Sequence, residues 1–160
     1  MTEYSSAAIG VGSNLSDPEF QVRHAISELT TLSEQRPLVS SLYVTKAWGN
    51  TEQPDFINAV VMITTCLCPS SLLHRLQKIE SESGRVRGEH WGPRVLDLDI
   101  LLFDDETIKT QDLQIPHKFL HERRFVMQPL YEICPDIVIA DKGRLAELLT
   151  QNMDPDLEKI

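Results

Sequence analysis

Between Leu96 and Ile100 apolar side chains and carboxylates alternate one for one: Leu96, Asp97, Leu98, Asp99, Ile100. A strand turns successive side chains to opposite faces, so Asp97 and Asp99 share one face with Cα atoms roughly 7 Å apart. Leu96, Leu98, Ile100 and Leu102 then point the other way, into a core. Aspartate is depleted in strands, and two like charges on one face repel unless a cation sits between them. With Arg94 just upstream, the pattern suits a site for Mg²⁺ and phosphate. Magnesium prefers oxygen ligands and commonly takes one or two carboxylates together with the phosphates of its substrate. The competing reading is a half-exposed strand whose polar face happens to carry two aspartates.

A length of 160 residues fits a single domain, 1–160, and 41% apolar with 24% charged residues is ordinary for a soluble globular protein. The longest apolar run, Ala59 to Ile63, is far too short to span a membrane, and the first six residues lack the basic start and apolar stretch of a secretory signal. Cys66-Leu67-Cys68 has neither metal-site nor redox spacing, so free thiols in a reducing cytoplasm are expected. A net charge of −9 argues against nucleic acid as a partner. Yet Arg85, Arg87, Arg94, Arg123 and Arg124 fall in one forty-residue stretch. Guanidinium groups concentrated near an aspartate pair in an acidic protein point to a small polyanion.

Local patterns supply the architecture. Ala7–Gly12 reads as a strand ending in a turn, and Asp17-Pro18 opens a helix with Val22, Ile26, Leu29 and Leu32 on one side. Pro37–Lys46 and Phe56–Cys66 read as strands, Pro69 to Gly84 as a second helix, and Gly84–Pro93 as a polar, arginine-rich loop. After the aspartate strand, Asp104-Asp105-Glu106 turns into a short strand at Thr107–Thr110. The chain is then expected to be irregular up to a helix near Pro129–Ile133, followed by a strand at Val138–Ala140 and a helix at Leu145–Leu149. Residues 151–160 are expected to fray. The order β-α-β-β-α-β predicts an α+β, ferredoxin-like fold, an antiparallel-rich sheet flanked by helices.

Gly10-Val11-Gly12 lacks the third glycine of a dinucleotide fingerprint, and neither a P-loop nor the common kinase and hydrolase signatures occur. A nucleotide would have to be held by metal ions and arginines. Five segments, in order along the chain, carry a resemblance: Gly12-Ser13-Asn14-Leu15; Gln53-Pro54-Asp55-Phe56-Ile57-Asn58; Ile79-Glu80 with Gly84-Arg85-Val86-Arg87; His90-Trp91-Gly92-Pro93-Arg94-Val95-Leu96-Asp97-Leu98-Asp99-Ile100-Leu101; and Pro116-His117 with Arg123 and Phe125. Together they resemble the 6-hydroxymethyl-7,8-dihydropterin pyrophosphokinase family.

That resemblance implies an ATP-dependent step of folate biosynthesis. The hydroxymethyl oxygen of 6-hydroxymethyl-7,8-dihydropterin attacks the β-phosphorus of ATP, and AMP leaves. It implies Asp97 and Asp99 as ligands of two Mg²⁺ ions, and Arg85 and Arg94 beside them as catalytic residues. Phe56 and Phe125 would sandwich the pterin, with Asn58, Thr45, Lys46 and Trp48 around its edge. Glu80, Arg87, Trp91, Arg94, Ile100, His117 and Arg123 would serve ATP, with residues 84–94 closing over it as an arm. The chain departs from the family pattern at Lys46 and Ala47, where prolines are frequent, at His90, where an arginine is usual, and at Lys118, where some relatives carry an aromatic. A monomer is expected. Two other readings start from the same residues: a metal-dependent phosphodiesterase using the aspartate pair, and a non-catalytic ligand-binding module on a ferredoxin-like scaffold. A binding module has no reason to place two metal ligands beside an arginine-rich loop.

Overall fold

Two long apolar stretches, Ala7 to Val11 and Ala59 to Ile63, pair along their full length and set the frame of the molecule. In the computed structural model residues 3–15, 17–45, 54–83, 95–152 and 157–160 are described. They form β1 (Ser5–Ser13), α1 (Pro18–Leu32), β2 (Leu38–Val39), β3 (Tyr43–Thr45), β4 (Phe56–Thr65), α2 (Pro69–Glu82), β5 (Asp97–Phe103), β6 (Ile108–Lys109) and β7 (Gln114–Ile115). A single 3-10 turn at Leu120–Glu122 leads into α3 (Arg124–Ile133), followed by β8 (Val138–Ile139), β9 (Gly143–Arg144), α4 (Leu145–Thr150) and β10 (Glu158–Lys159). The main sheet runs β10-β3-β4-β1-β5, with β2 also on β4 and every pair antiparallel. With β2 and β3 taken as halves of one strand, each long helix connects two strands that leave an antiparallel neighbour between them. That is the split βαβ arrangement expected from the element order.

Alternation along the strands gives the sheet two apolar faces. Ile9, Val11, Val61, Ile63, Leu96, Leu98 and Ile100 face α1 and α2 and pack on Val22, Leu29, Leu72 and Leu76. Ala8, Val60, Leu101 and Leu102 face the other way, onto Val126, Met127 and Leu130 of α3 and the apolar side of α4. The helices start where the local chemistry directs. Asp17 caps α1 by accepting from Phe20 N at 3.4 Å, and proline occupies the first turn of both α1 and α2.

Five local expectations change. The stretch 37–46 is two strands, not one. Ser40 Oγ takes the Val60 N–H at 2.9 Å and so competes with the strand ladder, leaving Leu38 half exposed while Leu42 is buried. A bulge between Ala8 and Ile9 makes Leu101 an extra residue in β5, which moves Leu102 to the face opposite Ile100. The third helix begins at Arg124, five residues before Pro129, because burying Val126, Met127 and Leu130 outweighs an interior proline. Gln114–Ile115, expected to be irregular, pairs with β6. The last residues supply β10, whose Lys159 pairs with Tyr43 on the open edge of β3. Cys66 and Cys68 are exposed free thiols.

Candidate active site

Residues facing each other across an antiparallel ladder share a face. Gly12 on β1 lies between Asp97 on β5 and Asn58 on β4, and Tyr43 on β3 lies beyond Asn58. In the next row Gly10 separates Asp99 from Val60, and on the other side Thr45 faces Phe56. Both aspartates, Asn58, Phe56 and Thr45 therefore stand on the sheet face that α3 covers. The glycines are what opens that face. A Cβ at Gly12 would meet Asn58 Oδ1 at 2.9 Å, and one at Gly10 would crowd the Leu101 side chain at 3.3 Å.

Several polar groups around this face have a support. Asn58 and Thr45 are buried, and Asn58 Nδ2 donates to Thr45 Oγ1 at 3.1 Å. Asn14 Nδ2 donates to Pro54 O at 3.4 Å, which ties the loop after β1 to the approach to β4. Glu80, expected at the nucleotide or in solvent, is buried at the end of α2, and its Oε2 accepts the Leu98 N–H at 2.9 Å. Because β5 is the edge strand, this carboxylate satisfies an amide lying between the two aspartates and fixes their strand to α2. Ile100, expected to serve ATP, turns its side chain into the core face away from the aspartates.

The segment after β7 adds a second wall. The His117 N–H donates to Leu101 O at 2.9 Å, and its Nδ1 accepts the Phe119 N–H at 3.2 Å. A neutral imidazole that accepts at Nδ1 carries its proton on Nε2, which is then the available donor. Burial pushes the His117 pKa down, the nearby Asp99 charge pulls it up, and Arg123 adds to the downward side; the net direction is down, favouring the neutral form. The Arg123 guanidinium carbon lies 5.0 Å from the Phe119 ring centre and 5.6 Å from that of Phe125, held between two aromatic rings. Phe125 itself sits in the first turn of α3. Arg124 is not free for a polyanion: it donates to Leu149 O, Asn152 O and Gln128 Oε1, joining α3 to α4.

Lys46, Trp48, Arg85, Arg87, Trp91 and Arg94 lie outside the described residues. Among the described residues no group of three or more His, Cys, Asp or Glu gathers in metal-binding fashion. Two carboxylates on one strand, opposite glycines that leave room in front of them, fit magnesium, which takes its other ligands from water and phosphate. Sequence reasoning passed over Phe119, Tyr43 and Glu132. Phe119 had a signal, an aromatic four residues before Arg123, whereas Glu132 reads as one more solvated helix carboxylate.

Residues 8–135 match the family model described as 7,8-dihydro-6-hydroxymethylpterin-pyrophosphokinase. The chain is 44% identical to the 2-amino-4-hydroxy-6-hydroxymethyldihydropteridine pyrophosphokinase of Haemophilus influenzae, over 97% of this chain and 98% of that one. It is 43% identical to the enzyme of the same name from Pseudomonas aeruginosa, over 95% and 94%. The structure resembles that of Plasmodium falciparum HPPK-DHPS wild type with pteroate, at a TM-score of 0.75 and 15% identity. That likeness covers 94% of this chain and 43% of the Plasmodium chain, and at such identity it speaks for the fold alone.

Proposed function

The chain belongs to the 7,8-dihydro-6-hydroxymethylpterin-pyrophosphokinase family, and on that premise we propose how its sheet face carries out the reaction. The enzyme transfers the pyrophosphoryl group of ATP to 6-hydroxymethyl-7,8-dihydropterin in folate biosynthesis, which leaves AMP as the second product.

The pterin lies between Phe56 and Phe125, whose rings offer a flat apolar slot to a flat ring system. Asn58, oriented by Thr45, reads the ring edge with a donor and an acceptor, and Lys46 and Trp48 are assigned to the pterin with it. Asp97 and Asp99 would hold two Mg²⁺ ions. Held there, magnesium would neutralise phosphate charge and make the attacking hydroxyl easier to deprotonate. Arg85, Arg87, Arg94 and Arg123 neutralise the triphosphate, His117 donates to it from Nε2, and Trp91 and Glu80 support that side of the site. Phosphoryl-type transfer asks mainly for positioning and charge neutralisation, and these residues supply both. The whole chain, 1–160, acts as one domain and as a monomer in the cytoplasm. Among the described residues no helix is long and apolar enough to cross a membrane.

One observation carries this reading. The carboxylate pair and the Asn58–Phe56 wall share one sheet face, two strand spacings apart and separated by Gly12 alone. That span is about 10 Å, so a pterin against Asn58 directs its hydroxymethyl end toward the metals. Asp97→Ala should lower AMP formation by about a thousandfold or more while equilibrium binding of the pterin stays close to wild type. Full turnover in that variant would contradict the assignment.

A further inference from the structure

The wall assigned to the pterin comes from two separate parts of the chain: β3 and β4 bring Thr45, Phe56 and Asn58, and the start of α3 brings Phe125. Apolar packing docks α3 on β4 and β5 through Val60, Leu101 and Leu102. β3 is harder to place. It is three residues long, it follows the irregular stretch at Ser40–Leu42, and among the described residues its outer edge pairs with the two residues of β10.

Glu132, in the last turn of α3, reaches this strand. Its Oε1 accepts from Ser41 N at 2.9 Å and from Tyr43 Oη at 2.9 Å, and its Oε2 accepts from Ser41 Oγ at 2.7 Å. Lys159 of β10 brings its Nζ to 3.7 Å from Oε2. Both carboxylate oxygens are thus engaged, and the side chain is only 27% exposed. Tyr43 is buried, faces Asn58 in register, and stands two residues from Thr45 on the same face. Any slide of the 41–43 segment would carry Thr45 Oγ1 away from the Asn58 amide that it orients at 3.1 Å.

We propose that Glu132 is a positioning residue for the pterin: by clasping Ser41 and Tyr43 it fixes β3, and with it the Thr45–Asn58 pair, against the helix that carries Phe125. The proposal rests on the assignment of that wall to the pterin. The clasp holds β3, three strands across the sheet from the aspartates of β5, so its loss should register in pterin recognition and not in ATP recognition.

Steady-state kinetics with each substrate varied separately test this in Glu132→Ala, Glu132→Gln, Tyr43→Phe and Asn58→Ala. Glu132→Ala should raise the pterin KM by about tenfold and leave the ATP KM within about twofold. Glu132→Gln should stay near wild type, because its amide oxygen still accepts from Ser41 N and Tyr43 Oη and its amide nitrogen can donate to Ser41 Oγ. Tyr43→Phe should raise the pterin KM by a smaller factor, and it carries the test if Glu132→Ala does not fold. A merely stabilising role would lower the melting temperature with no split between the two KM values, and that result would overturn the proposal. Asn58→Ala separates the two assignments. If it leaves the pterin KM unchanged, the wall itself is misassigned and the proposal falls with it. If it raises that KM while Glu132→Ala and Tyr43→Phe do not, the role of Glu132 alone is refuted.

Discussion

Gly12 shows how a single missing side chain decides the site. It stands between Asp97 and Asn58, and a Cβ there would lie 2.9 Å from Asn58 Oδ1. Asn58 is buried and already committed to Thr45, so it has little freedom to give way. Gly12→Ala should cost about 1–3 kcal/mol of stability, as overpacking does, and should weaken pterin binding more than ATP binding. Thermal unfolding together with a pterin binding isotherm checks both. An alanine variant of unchanged stability and pterin affinity would mean that Asn58 moves freely and does not define the slot. Arg123 makes a complementary point about position. Two aromatic rings hold its guanidinium, one from the turn after β7 and one from α3, so it is aimed by apolar neighbours that leave its hydrogen-bond donors for a ligand.

At the scale of elements, the contact between α3 and β3 titrates. Glu132 is held below its ordinary value of 4.5: burial alone would push it up, but the hydrogen bonds from Ser41 and Tyr43 and the Lys159 charge outweigh that. A depressed carboxylate contributes stability that is fully present above its unfolded value and is lost as pH falls through the folded one. Tyr43 shifts the other way, far above its ordinary 10.0, through burial first and then the hydrogen bond to Glu132 and its charge. A raised phenol contributes stability that is fully present below its unfolded value and is lost as pH rises past it. From about pH 6 to about pH 3 the wild type should therefore lose more stability than Glu132→Gln. Above about pH 10 it should lose more than Tyr43→Phe. Melting temperatures across pH measure both, and parallel curves would show that the clasp does not couple to folding. The same element marks where sequence reading stops. From the sequence this helix is expected only near Pro129, whereas Val126 and Met127 are already in it and buried with Leu130, and a carboxylate that bonds to residues some ninety positions away leaves no local pattern.

For the molecule as a whole, the antiparallel frame and its aspartate-bearing strand were legible because both rest on period-two alternation, which the sequence displays openly. The break at Ser40 and the bulge at Leu101 were not, since each depends on how one residue meets its partner strand. The aspartates, Asn58, Phe56 and Thr45 could be named from motif order and meet on one sheet face. The Ile100 side chain faces the core because strand register, not its place in a motif, decides which way a side chain points. The central claim is that this face aligns a pterin with the triphosphate for pyrophosphoryl transfer. Its most direct test is to incubate the protein with MgATP, with and without 6-hydroxymethyl-7,8-dihydropterin, and to identify the nucleotide formed. The account predicts AMP only when the pterin is present, in equal amount to the pyrophosphorylated pterin; ADP, or AMP formed regardless of the pterin, would contradict it.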